Sequence, residues 1–156
     1  TGQPVQTNDP SKNISGSPLL LDPSDFTLGE DPMNLFRDVT HSIVDKVEGA
    51  RTALIVGTDG IVIDRANKEE GDDSINYELV AAEYTSLLKT AIRTAEDVEI
   101  GLLQELSVFT EQYQFLIKMI TEEYFLMCIL DASGNFGRAR YELRKAKYIL
   151  YKEFQV

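Results

Sequence analysis

The residues able to do chemistry in this chain are few and poorly placed for it. His41 is the single histidine, and helical spacing puts it on the polar side of its segment, so no Ser/His/Asp or Cys/His set can be assembled. Cys128, the single cysteine, lies in the run Tyr124-Phe125-Leu126-Met127-Cys128-Ile129-Leu130. That is the place of a core residue, whereas a reactive thiolate needs exposure and a basic neighbour. A lone cysteine also excludes an internal disulfide, and with His41 it makes no zinc set. The carboxylates Glu69, Glu70, Asp72 and Asp73 lack the spacing of a calcium loop and read as a solvated stretch. Gly57-Thr58-Asp59-Gly60 and Gly134-Asn135-Phe136-Gly137 lack the Walker spacing and its closing Lys-Ser/Thr. The second opens a helix whose free N–H groups suit an anion, but a capped turn accounts for it equally well. Paired carboxylates abound, and no spacing singles out a pair. No catalytic residue, metal or cofactor is expected, and so no enzyme with its own active site.

Charge points to partners of another kind. The chain has 156 residues and a formal net charge of −11, which argues against nucleic acid as a partner. Residues 1–31 carry −4, residues 132–156 carry +4, and the remainder carries −11. A basic final helix thus sits on an acidic body. No apolar run approaches the roughly 18 residues of a membrane span, so no membrane insertion is expected. No apolar segment follows a basic start, which makes the cytoplasm the expected location.

The elements that must position any surface follow from periodicity. Residues 1–31 hold Pro4, Pro10, Pro18 and Pro23 among small polar residues, with only Leu19, Leu20, Leu21, Phe26 and Leu28 able to pack. This reads as a flexible, mostly disordered arm whose apolar patch is able to dock. The domain spans 32–156. Asp31-Pro32 predicts an N-cap and first helical position. The helix runs to about Glu48 with Leu35, Phe36, Val39, Ile43 and Val47 inward, and Gly49 ends it. Strands are predicted over 52–56 and 61–65, joined at Asp59-Gly60 by a turn with positive φ at both positions. A long helix over 76–96 turns Ala81, Tyr84, Leu88, Ile92 and Ala95 to the sheet, flanked by Val80 and Leu87. Its other face, with Ala82, Thr85, Ser86, Lys89 and Arg93, is small enough to admit another helix. A polar strand over 103–109, with Glu105 and Ser107 opposite Leu106 and Val108, suits a sheet edge. Phe115, Ile117 and Met119 alternate as a half-buried strand requires. The all-apolar strand 124–131 belongs at the centre of a sheet. Asn135 caps a last helix with Phe136, Ala139, Leu143, Ala146, Leu150 and Phe154 on one face.

Burial then orders the strands. The two all-apolar strands take the centre, their hairpin mates lie outside them, and 103–109 takes an edge. The result is an α/β (α+β) three-layer sandwich with a five-stranded, mostly antiparallel sheet of order 2-1-5-4-3. The long helix covers one face and the first and last helices the other. A reversed placement of the two halves is the alternative.

From about Pro32 to Phe154 this pattern resembles the roadblock family of dynein-light-chain-like domains, most closely its bacterial MglB-like members, which regulate small Ras-like GTPases. The residues that carry the resemblance are Leu54-Ile55-Val56 with Thr58-Asp59-Gly60, then Leu130-Asp131 leading to Phe136-Gly137, Leu143-Arg144 and Ala146. The long helix is bulkier than is usual in MglB-like members, at Glu83, Tyr84 and Lys89. The resemblance implies a homodimer joined through Leu103, Glu105, Ser107 and Phe109. It implies that the paired long helices offer Glu78, Ala82, Thr85, Ser86, Lys89 and Arg93 to one GTPase, as a GTPase-activating or GTPase-binding partner acting by contact. It also implies catalysis by repositioning the GTPase's own residues, without an arginine finger. A non-catalytic adaptor or scaffold subunit is the alternative, and a PAS- or GAF-like ligand sensor the weaker one.

Overall fold

A computed structural model of the chain describes residues 31–71 and 74–154. The expected arm before Asp31, and Asp72 and Asp73 of the acidic loop, lie outside the described residues.

Helix α1 (Pro32–Lys46) begins where the cap signals put it. The Asp31 carboxylate accepts from the Met33 N–H at 3.0 Å, and Pro32 fills a position whose N–H would have no partner. Leu35, Phe36, Val39, Ile43 and Val44 form one buried stripe. Gly49, at φ 87°, turns the chain into β1 (Ala50–Gly57). A side chain at Gly49 would strike the backbone of Gly134, so these two glycines let the turn before β1 cross the turn after β5.

Between β1 and β2 (Val62–Asn67) the turn differs from the expected type. Only Gly60 has positive φ, at 89°, and the Asp59 carboxylate accepts from the Ile61 N–H at 3.0 Å. The Gly60 N–H donates to the Gly57 carbonyl at 2.8 Å, so a three-residue loop ends in a left-handed glycine. One positive-φ residue suffices for it, and Asp59 stays in an ordinary conformation by bonding its own turn.

Helix α2 (Tyr77–Asp97) starts at Asn76, whose side chain accepts from the Leu79 N–H at 3.0 Å. Strands β3 (Glu105–Phe109), β4 (Tyr113–Met119) and β5 (Tyr124–Asp131) follow, then α3 (Phe136–Phe154). Asn135 caps α3, accepting from the Arg138 N–H at 3.0 Å. The sheet order is β2-β1-β5-β4-β3, every pair antiparallel, as burial alone predicted.

Alternation along the strands divides the core. Ala53, Ile55, Leu116, Leu126, Cys128 and Leu130 face α1 and α3, while Leu54, Val56, Ile117, Phe125, Met127 and Ile129 face α2. One correction follows for β4. Leu116 and Ile120 are as buried as Phe115, Ile117 and Met119, because β4 lies inside the sheet with a helix layer on each face. Helices α1 and α3 run antiparallel, so the Phe36 ring stacks on Phe154 at 5.3 Å, and Phe154 stacks on Tyr124 at 4.1 Å. Among the described residues no helix is long and apolar enough to cross a membrane.

Candidate docking surface

Two features remain unfinished in this chain, the outer side of α2 and the open edge of β3. The edge can be read from its hydrogen bonds. The Met119 N–H donates to the Gln104 carbonyl at 3.0 Å, and the Thr110 N–H to the Tyr113 carbonyl at 2.8 Å. In an antiparallel ladder bonded positions alternate, so Leu106 and Val108 also bond β4. Glu105, Ser107 and Phe109 therefore turn their backbone N–H and C=O groups away from β4. A second strand would bond there.

Side chains at this edge are more engaged than the sequence suggested. Leu103 packs against the core beneath α2. Glu105 accepts from the Arg140 Nε at 2.9 Å, which ties β3 to α3 and holds the Arg140 guanidinium above its ordinary pKa. The Phe109 ring is 63% exposed, with one edge set against Phe136 at 4.9 Å. Ser107 is exposed.

On α2, the expected partner residues Glu78, Ala82, Ser86, Lys89 and Arg93 are exposed. Thr85 is not: it is buried, and its hydroxyl has no hydrogen-bond partner among the described residues. Helical spacing placed it on the small-residue face, but it lies on the inner margin of that stripe. Leu87, expected to cover the sheet, is 46% exposed, and Leu79 is 55% exposed. Glu78 leans toward β2, where its carboxylate meets Arg65 at 3.1 Å. At the other end of the helix, Ile92 and Glu96 border the residues leading into β3. The helix therefore crosses the sheet obliquely, from β2 at its start to the residues before β3 at its end.

The polar groups that sequence reasoning missed are structural. The Gln114 side-chain N–H₂ reaches the carbonyls of Asp131 at 2.9 Å and Gly134 at 3.1 Å, clamping the turn before α3. Arg51 donates to Asp131 at 3.0 Å and to Ser74 at 2.6 Å. Buried Glu142 accepts from Arg138 at 2.7 Å, with Lys145 at 3.4 Å. Among the residues considered for chemistry, His41 is exposed, and burial pushes the Cys128 thiol up to about 12, which keeps it protonated and unreactive. The described residues hold no group of three or more His, Cys, Asp or Glu placed to bind a metal.

Comparison with known proteins agrees with this architecture. No protein-family model matches the sequence. The uncharacterized protein MJ0310 of Methanocaldococcus jannaschii is 31% identical over 103 residues, which cover 66% of this chain and 86% of that one. MglC from Myxococcus xanthus is 34% identical, with a TM-score of 0.56 over 76% of this chain and 98% of its own. The gliding protein MglB from Thermus thermophilus has the same fold at 17% identity, with a TM-score of 0.71 over 85% of this chain and 96% of its own. A Roadblock/LC7 domain from Streptomyces avermitilis shares the fold at 13% identity, with a TM-score of 0.66 over 76% of this chain and 96% of its own. With this sheet order, these three helices and the identity to MglC, the chain belongs to the roadblock-domain family, in its MglB/MglC-like part.

Proposed function

We propose that the chain is a homodimeric, non-enzymatic regulator of a small Ras-like GTPase, acting by contact with the partner's switch regions. The observation that carries this reading is the continuity of the open β3 edge with the exposed side of α2. Two copies related by a two-fold axis would pair Glu105, Ser107 and Phe109 across the axis and bring their long helices onto one surface. That surface would offer Ala82, Ser86, Lys89 and Arg93 from each copy, with Glu78 at its margin. Both core clusters are filled with apolar side chains, which favours a contact protein over a PAS- or GAF-like sensor, since a sensor needs an interior cavity. A cytoplasmic location suits such a partner.

Arg93 decides between two modes of activation. It is exposed and makes no ion pair among the described residues. A true arginine finger contributes on the order of 10³–10⁵ in rate. A charge at the rim mainly alters association. Single-turnover GTP hydrolysis should be measured with small GTPases from the same genome and this protein in excess. Acceleration is expected, and Arg93→Ala should leave the saturated rate within about tenfold, far below the finger range. A loss of about a thousandfold would make Arg93 the catalytic charge. Failure to bind or accelerate any of these GTPases would overturn the regulator reading in favour of an adaptor subunit.

A further inference from the structure

A cleft of about 420 Å³ opens at the end of the sheet where β3 begins and β4 ends. Ile92 and Glu96 of α2, Leu102 and Gln104 before β3, Met119 of β4 and Tyr151 of α3 line it. Leu102, on its rim, is 63% exposed. At the opposite end of β3 the chain reverses tightly. The Thr110 N–H donates to the Tyr113 carbonyl at 2.8 Å, so only Glu111 and Gln112 project beyond the ladder, and both are exposed. Cleft and turn thus sit at the two ends of the strand that closes this side of the sheet.

Strand geometry says what that placement does. In an antiparallel pair, residues whose backbone groups point at the neighbouring strand lie opposite one another. On the open side of β3 these are Glu105, Ser107 and Phe109. A two-fold pairing that uses all three sets Ser107 against Ser107 and Glu105 against Phe109. Continued past Glu105, the same register brings the partner's Thr110 opposite Gln104 and the partner's Gln112 opposite Leu102, about 5 Å away. A slip of two residues in either direction keeps part of the turn beside residues 102–104. We propose that the cleft is closed by a second copy of the chain, the turn Thr110–Gln112 of each copy capping the cleft of the other and covering Leu102 beside the end of α2. Two-fold symmetry makes the contact occur twice, so both clefts close together. The proposal rests on the homodimer reading of β3 and goes beyond it, because each cleft is then incomplete in one chain and complete only in the pair.

Cross-linking between chains tests this. Two single variants of the full chain, Leu102→Cys and Gln112→Cys, are co-expressed and treated with a short bis-maleimide. Both positions are exposed, and Cys128 is buried and does not compete. A covalent dimer joining one chain of each variant should form at least about tenfold faster than any covalent dimer of either variant alone, the advantage of a fixed neighbour over random collision. Within one variant, the two-fold pairing holds like positions roughly 30 Å apart, beyond the reach of the linker. Sedimentation reports association separately. Chains that self-associate without the mixed product, or that link like to like, overturn the capping of the cleft and leave self-association standing. A parent chain that is monomeric overturns the homodimer reading and this proposal with it. Should either substitution itself dissociate a paired parent while circular dichroism shows the fold kept, that position lies in the contact as proposed.

Discussion

The two faces of the sheet are lined by the same strands and finished to different degrees. Beneath α1 and α3, Phe36, Phe154 and Tyr124 stack in series, Gln114 clamps the turn before α3, and Glu142 is held between Arg138 and Lys145. Beneath α2, the Thr85 hydroxyl has no partner among the described residues, Tyr84 and Ile92 are only half-buried, and Leu79 and Leu87 face outward. Width accounts for the contrast. Five strands about 4.8 Å apart span roughly 19 Å, which two helices packed 8–10 Å apart can cover, whereas one helix 10–12 Å across cannot. The face with one helix is therefore the less fully covered of the two, and the face with two helices is where the fold is secured.

The largest effect should come from breaking the secured face. Leu126→Ala removes a fully buried side chain beneath α3 and should cost about 2–5 kcal/mol in urea unfolding. The same truncation at half-exposed Leu87 should cost under about 0.5 kcal/mol. Equal losses would mean that α2 covers its face as fully as the helix pair does.

Ser107→Pro probes the open edge. The Ser107 N–H points away from β4, so proline there takes no bond from the fold, and edge strands accept it. Self-association measured by sedimentation should weaken by at least about tenfold, or 1.4 kcal/mol. A chain that is monomeric before the substitution would remove β3 as the joining edge.

The smallest expected change is at Thr85. An unpartnered buried hydroxyl costs about 1–3 kcal/mol, so Thr85→Val should hold or raise thermal stability by up to about 1 kcal/mol. A clear loss would show that the hydroxyl is bonded after all, within the chain or across a dimer.

Much of this was legible in the sequence. Asp31 and Asn135 announced two helix starts, because a cap acts over three residues and needs no distant partner. The unbroken apolar run at Tyr124–Asp131 fixed the centre of the sheet, because a strand with no polar face must be covered on both sides. The outward position of Ala82, Ser86, Lys89 and Arg93 was legible too, since small and charged residues at helical spacing lie opposite the apolar stripe.

What failed was lateral. Thr85 turned inward and Leu87 outward because a helix face is set by where the helix lies across the sheet, and α2 lies obliquely. The Glu105–Arg140 pair joins residues 35 apart, and the turn at Gly49 fits only because Gly134 crosses it. Periods of 2 and 3.6 are properties of a short backbone segment, so the sequence by itself determined the elements, their caps and which strands are central. The tilt of α2, the turn crossing and the cleft beside β3 depend on contacts between segments far apart in the chain, and only the tertiary structure decided them.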